Sequence, residues 1–577
     1  MTREFDAREG EFHVRDGARA GSDQPAGPVV PARASGAADR SASAVGVAEP
    51  ASVFLTRMLD ALAAAGDRVA FVHRGLRIRY RAADRLLRRL HAALTTAGVR
   101  AGETVALVGG NRPETVLAQL AAQCLGATVL LVGASTTRPD RPAAVAAGGA
   151  TTLVLDPECV PDPADLVELV RAARPARVLS LGPLPGARNL LATGAPTPHP
   201  PHVSGDSTDS AAPATASPRD TRGTTGSTTP TVPRALPGTV RTLFTSGGTT
   251  GAPKLVAHSG IYAGMAHIFR PDPAGPGRVL VVAPVSHLTG NAAVLGALLR
   301  GDTVVLHDEF DPAAALAAIA AERVTALSLT PPRLAALLDH PALAGTDLSG
   351  LRSLSLGASP LPERRLRQAL AVFGPVVGQG YGLTEAPMVA SITAAELLDH
   401  PRRLGSVGRI VPGMEARIDG ARAPGDVGEV LVRGLALMEG YAGRPDLTAA
   451  AFTGGWLRTG DLGRFDADGY LYLLDRADDV IVTGEHGSKV YPAVVEDTLA
   501  DHPGVRQAAV VGAPGPEGAL VHAVVVPTEP DPPPVEDLRA HVLARLGQEH
   551  LVPATVTFTD RLPLTPVGKI DRRALRP

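Results

Sequence analysis

Between residues 86 and 132 the chain alternates two apolar patterns, and that alternation restricts its fold more than any other feature. Leu86, Leu87, Leu90, Ala93 and Leu94 share a helical face, and 104–108 is a short continuous apolar run. Residues 114–125 are helical again, and 127–132 form a second run. Apolar residues three and four apart make an amphipathic helix, whereas a run of five or six suits a strand buried on both faces. Helix and strand in alternation predict an α/β fold in which parallel-rich sheets are covered by helices. From about residue 477 the pattern changes. A helix at 493–499, a strand pair at 507–511 and 521–526, a helix carrying Leu538, Val542, Leu543 and Leu546, and a last strand at 554–559 predict a small α+β C-terminal domain. A chain of 577 residues is too long for one core. The expected division is therefore a large domain over 51–476 and a small one over 477–577.

Two stretches stand outside this scheme. Residues 1–50 are rich in Ala, Gly, Ser, Pro, Asp and Arg and lack apolar periodicity, so a disordered tail is expected. Residues 195–235 have the same character and read as a low-complexity insertion. Net charge is −2 with both signs spread along the chain, which argues against nucleic acid or an acidic membrane as partner. Cys124 and Cys159 have no metal spacing, and with no secretory h-region at the start a cytoplasmic protein is expected.

The segment Thr245-Ser246-Gly247-Gly248-Thr249-Thr250-Gly251-Ala-Pro-Lys254 packs glycines and hydroxyls ahead of a lysine. Glycines let several N–H groups turn inward, and such a nest with one cation suits nucleotide phosphates. Lys254 is followed by a strand-like run rather than a helix, so this is not a Walker loop. An ordinary Gly/Thr turn between strands is the competing reading. Further blocks follow in order: Tyr381-Gly-Leu-Thr384-Glu385, Arg458-Thr-Gly-Asp461, Asp475-Arg476-Ala-Asp478-Asp479 and Pro566-Val-Gly-Lys569-Ile-Asp571. Together these blocks resemble the adenylate-forming superfamily of acyl-CoA synthetases, peptide-synthetase adenylation domains and luciferases. The resemblance runs from about residue 51 to the C-terminus.

The resemblance implies a large N-terminal domain and a small mobile C-terminal lid with the active site between them. It also implies roles for particular residues. Thr245, Ser246, Gly247, Gly248, Thr249, Thr250, Gly251 and Lys254 would cradle the β- and γ-phosphates of ATP. Gly357, Ala358 and Ser359 would border adenine, with Tyr381 on its other side. Thr384 would bond the α-phosphate, and Glu385 would hold Mg²⁺, which favours one or two carboxylates beside phosphate oxygens. Asp461 would accept from the ribose hydroxyls, Arg476 would support ribose and phosphate, and Asp478 would be the hinge. Lys569 would bridge the substrate carboxylate and the α-phosphate. Trp456 and Tyr472 read as packing residues.

Two departures bear on the substrate and the acceptor. A loop that is usually Gly-Gly-x-x-Val-Tyr-Pro stands here as Gly484-Glu-His-Gly487-Ser-Lys-Val490-Tyr-Pro492, two residues longer. Pro284-Val-Ser-His287-Leu-Thr-Gly-Asn291 lacks the aspartate that amino-acid-activating relatives use, and His287 resembles the histidine of acid–CoA ligases. His287, Asn291, Thr330, Gly380, Ala386 and Met388 are the expected pocket, small or apolar and suited to an uncharged acyl or aryl group. The resemblance implies an AMP-forming ligase that uses ATP and Mg²⁺ to activate a small carboxylic acid for transfer to CoA. Loading of a carrier protein is the alternative; activation of nitrite and a non-catalytic nucleotide-binding relative are outlying ones.

Overall fold

The computed structural model describes residues 52–133, 140–160, 162–192, 237–246, 254–484, 487–515, 518–565 and 567–577. The expected tail at 1–50, the insertion at 195–235 and the loop residues Gly247, Gly248, Thr249, Thr250 and Gly251 lie outside the described residues.

The predicted alternation is realised in two large sheets. One has nine strands and the other eight, and most neighbouring strands run parallel. The apolar runs at 104–108 and 127–132 are the strands Thr104–Gly109 and Thr128–Gly133, paired parallel at the centre of the eight-stranded sheet. Both are buried on either face, which is why their sequences are continuously apolar rather than alternating. The helix predicted from Leu87, Leu90 and Leu94 is Tyr80–Thr96, with those three residues fully buried. Pro113–Cys124 is buried almost all round, and both cysteines are free and buried. A five-stranded antiparallel sheet follows; in it Trp456–Phe465 pairs with Leu471–Arg476. Arg417 and Arg433 flank the Trp456 ring at 4.8 and 4.5 Å, a cation–π packing role.

Past residue 477 the predicted α+β unit is present. Helices Pro492–Ala500 and Val535–Leu546 pack on the antiparallel pair Val505–Gly515 and Gly518–Pro527, to which Thr555–Phe558 adds in parallel. Val495, Leu499, Val510, Val525, Leu538 and Val542 form its own apolar core. Between the two parts lies an exposed 3₁₀ turn, Ala477–Asp479, which contains Asp478. The small domain docks on the helix Glu363–Phe373. Asp497 accepts from the Glu363 amide at 2.9 Å, while Arg364 and Arg365 donate to the carbonyls of Val505 and Arg506 at 2.8 and 3.0 Å. Among the described residues no helix is long and apolar enough to cross a membrane.

Candidate active site

Asp461 sits mid-strand in Trp456–Phe465, opposite Arg476 at the end of the next strand. Both oxygens of its buried carboxylate are engaged. Tyr381 donates its hydroxyl to Oδ2 at 2.6 Å, and Arg476 Nη1 donates to Oδ1 at 3.1 Å. Burial pushes the Asp461 pKa up, and Arg476, Tyr381 and Lys569 all pull against that rise. Its backbone is fixed as well, because Asp461 N–H donates to Thr459 Oγ1, whose hydroxyl donates to the Val430 carbonyl.

Tyr381 belongs to the strand Val377–Leu383, which turns through Thr384 and Glu385 into the antiparallel strand Ala386–Ile392. Thr384 and Glu385 therefore occupy the tip of a strand–turn–strand unit at the edge of the nine-stranded sheet. Two residues without sequence signal hold that tip. His258 Nε2 donates to the Thr384 carbonyl at 2.6 Å, and Tyr441 donates its hydroxyl to Glu385 Oε1 at 2.9 Å. His258 is fully buried, and burial lowers its pKa, so the neutral ring keeps Nε2 as the donor. Lys254 lies over the Tyr441 ring at 5.2 Å, which joins the base of the glycine loop to the Glu385 carboxylate. The strands Thr242–Ser246 and Lys254–His258 are antiparallel and pair Ser246 with Lys254. Thr245 is buried in the first of them.

Gly357 ends the strand Ser353–Gly357 beside Gly380, and a Cβ on Gly357 would lie 2.6 Å from the Gly380 carbonyl oxygen. Only glycine allows this approach. Ala358 follows with φ +74, a strained conformation of the kind that gathers at binding sites. Ser359 Oγ is buried without a partner there.

His287 precedes the helix Leu288–Arg300 on a loop stitched by buried amides. Asn111 accepts from the Val285 amide at 2.8 Å and donates to the carbonyls of Ala283 and His307 at 3.1 and 2.8 Å. Asn291 exchanges hydrogen bonds with Gln119 at 2.7 and 3.2 Å and donates to Val285 O at 3.1 Å, so its amide supports the wall rather than facing a ligand. The His287 pKa is lowered to about 4, by burial first and then by the charges of Lys569 and Arg333. Its ring is neutral at pH 7.

Lys569 comes to this cluster on a tight turn. Thr565 N–H donates to Lys569 O at 2.7 Å, Gly568 N–H to Thr565 O at 2.8 Å, and Thr330 Oγ1 to Gly568 O at 2.8 Å. Thr330, expected in the acyl pocket, thus docks the lysine turn. Gly568 has φ +80, and a Cβ there would sit 2.7 Å from Arg333 Nε. Lys569 keeps accessible surface, yet surrounding protein lowers its pKa. The charges of Asp461 and Glu385 raise it and that of Arg476 lowers it, so the ammonium lies in the field of all three. Ala386 is fully buried, whereas Met388 is 51% exposed and presents its side chain to solvent.

Tyr381 and Arg476 thus meet on Asp461, and Lys569 lies in the field of Asp461, Arg476 and Glu385. The AMP-binding enzyme family matches residues 59–442, and the AMP-binding enzyme C-terminal domain matches 494–569. The chain belongs to the AMP-binding enzymes. As a member of this adenylate-forming superfamily it is an AMP-forming ligase. It is 36% identical to a medium/long-chain fatty-acid–CoA ligase of Mycobacterium tuberculosis over 86% of this chain and 84% of that one. Identity to a feruloyl-CoA synthase of an Amycolatopsis species is 34%, over 87% and 94% of the two chains. Among solved structures, the amide bond synthetase McbA of Marinactinospora thermotolerans superposes with a TM-score of 0.76 at 34% identity, covering 91% of this chain and 98% of that one. The site of this AMP-binding enzyme also contains supports that sequence did not reveal: His258, Tyr441, Asn111 and Gln119.

Proposed function

We propose that this AMP-binding enzyme activates a small carboxylic acid with ATP and passes the acyl group to the thiol of CoA. The observation that carries the reading is Lys569, brought by its turn into the field of Asp461, Arg476 and Glu385. A carboxylate oxygen attacks the α-phosphorus of ATP, a P–O bond forms, and pyrophosphate leaves. Two anions must approach, and the Lys569 ammonium offsets their repulsion as charge builds on the five-coordinate phosphate. Asp461, oriented by Tyr381 and Arg476, takes the ribose hydroxyls. Thr384 and the loop from Thr245 to Lys254 take phosphate oxygens.

Glu385 would hold Mg²⁺ through its carboxylate, one oxygen of which accepts from Tyr441. The bound ion would neutralise the leaving pyrophosphate. His287 contributes a neutral ring beside the reacting carboxylate, not a charge. In the second half-reaction the CoA thiolate attacks the acyl carbon and AMP departs, with the small domain turning about Asp478 between the two steps. A cytoplasmic location accords with two free, buried thiols.

An amine acceptor is the second reading, favoured by the similarity to an amide bond synthetase and by the lengthened loop at 484–492. The test is pyrophosphate release with ATP and Mg²⁺ against a panel of carboxylic acids, each with CoA, with an amine, or with neither. Acid-dependent release with a CoA thioester seen by mass spectrometry is the expected result. An amide product in its place would select the second reading, and activation without either product would point to a carrier protein. Lys569→Ala should lower acid-dependent release by about 10²–10³ while nucleotide still binds; undiminished release would remove the lysine from the mechanism.

A further inference from the structure

Arg333 lies in the first turn of the helix Pro331–Leu338 and is only 7% exposed. Its guanidinium stacks on the Phe310 ring at 5.4 Å, and among the described residues it makes no hydrogen bond and no ion pair. Another buried arginine shows what is missing. Arg365, 6% exposed, gives both terminal nitrogens to Asp339 at 2.6 and 2.9 Å. A guanidinium carries five donors and stays charged; those of Arg333 have no protein acceptor among the described residues, yet none of its nitrogens is sealed from solvent, so they stand open to an acceptor that arrives from outside. The surroundings say where such a ligand would sit. Arg333 Nε faces Gly568, next to Lys569, and its charge acts on His287. Beside His287 the Ser286 hydroxyl is also buried without a partner. Burial lowers the Arg333 pKa, as expected of a cation held in place without a counter-ion.

We propose that Arg333 binds an anionic oxygen of the acid substrate and is a specificity-determining residue of the acyl site. The inference rests on the acid-activating reading given above. The anion is either the reacting carboxylate, shared with Lys569, or a second acidic group on the same molecule. Arg333 stands on a helix of the large domain, so it remains in the acyl wall whatever the lysine turn does. It adds a cation beside the neutral ring of His287, and it selects acids able to meet that cation.

The experiment compares the whole chain as wild type, Arg333→Met and Arg333→Lys. Pyrophosphate release is measured with hexanoate and benzoate, which have one acidic group, and with succinate and sulfoacetate, which have two. The methionine variant should raise KM for the acid at least about tenfold, leaving kcat and the KM for ATP within about twofold, and lysine should recover part of the loss. A loss confined to the two-acid substrates assigns Arg333 to a second acidic group; an equal loss throughout assigns it to the reacting carboxylate. An unchanged KM for every acid, or a change in the KM for ATP alone, overturns the proposal. Thermal melting without ligand supplies an arm independent of turnover. Removing an unpaired buried charge should leave the melting temperature of Arg333→Met at or a few degrees above that of wild type, and a fall would mean that the arginine has a structural partner. Wild type silent with every acid would sink the acid-activating reading, while melting would still decide the role of Arg333.

Discussion

At the scale of single residues, the site is ordered by hydrogen bonds that precede any ligand. Asp461 is held by Tyr381 and Arg476, so its lone pairs are already aimed before nucleotide arrives. Tyr381→Phe keeps the ring and its burial but deletes one donor to a buried carboxylate. A hydrogen bond to a charged group contributes about 1.5–3 kcal/mol. The KM for ATP in this variant should therefore rise about tenfold or more, with pyrophosphate release as the readout. The ordered blocks singled out Tyr381, Glu385, Asp461 and Lys569 in the sequence, and the structure bonds Tyr381 to Asp461 and sets Lys569 in the field of Asp461 and Glu385. Their supports were not legible. His258 and Tyr441 lie 126 and 56 residues from the groups they hold, and only the pairing of separate strands brings them near.

At the scale of elements, the lysine turn and the helix beneath it form one device. Gly568 combines a left-handed φ with contact against Arg333, so Gly568→Ala both strains the backbone and pushes the turn from its seat. The variant should lose kcat for adenylation by about tenfold or more although Lys569 itself is intact, since small misplacements of a reacting group have large effects.

The docking helix Pro492–Ala500 carries a second consequence. Asp497, which accepts from Glu363, has its pKa raised to about 6 by burial, with Glu363 and Asp501 adding to the rise. A carboxyl raised in the folded state holds its proton more tightly there than when unfolded. The stabilisation this brings is complete below about pH 4 and is lost as pH climbs through about 6. Asp497→Asn preserves the acceptor and removes the ionisable group. It should raise the melting temperature at pH 8, by the equivalent of about 2–3 kcal/mol at most, and make no difference near pH 4. Equal melting curves at both pH values would refute this account.

Strand and helix periods were readable in these same elements because burial on one face or on both writes directly into the spacing of apolar residues. The predicted strand at 507–511 is nevertheless Val505–Gly515 in the structure, and 521–526 is Gly518–Pro527. Their outer residues continue the ladder past the apolar stretch, held by backbone pairing that leaves no mark on side-chain composition.

At the scale of the molecule, polar contacts join the small domain to the large one at several points. Thr330 Oγ1 to Gly568 O is a direct bond between the large domain and the lysine turn. Thr330→Val should weaken this docking by about 1 kcal/mol, and adenylation should slow about threefold to tenfold. The acyl-transfer step, started from adenylate supplied ready-made, should be spared, and equal slowing of both steps would count against a docking role.

The packing of the core has a practical outcome for testing the proposed domain motion. Cys124 and Cys159 are sealed in the large domain, and burial pushes both thiols up to about 12, so neither offers a thiolate to a reagent in neutral solution. Leu564, on the arm that leads to the lysine, is 48% exposed. A single Leu564→Cys exchange would thus create the one readily alkylated position in the native enzyme. A dye placed there would test the proposed turning of the small domain, with both natural cysteines left in place.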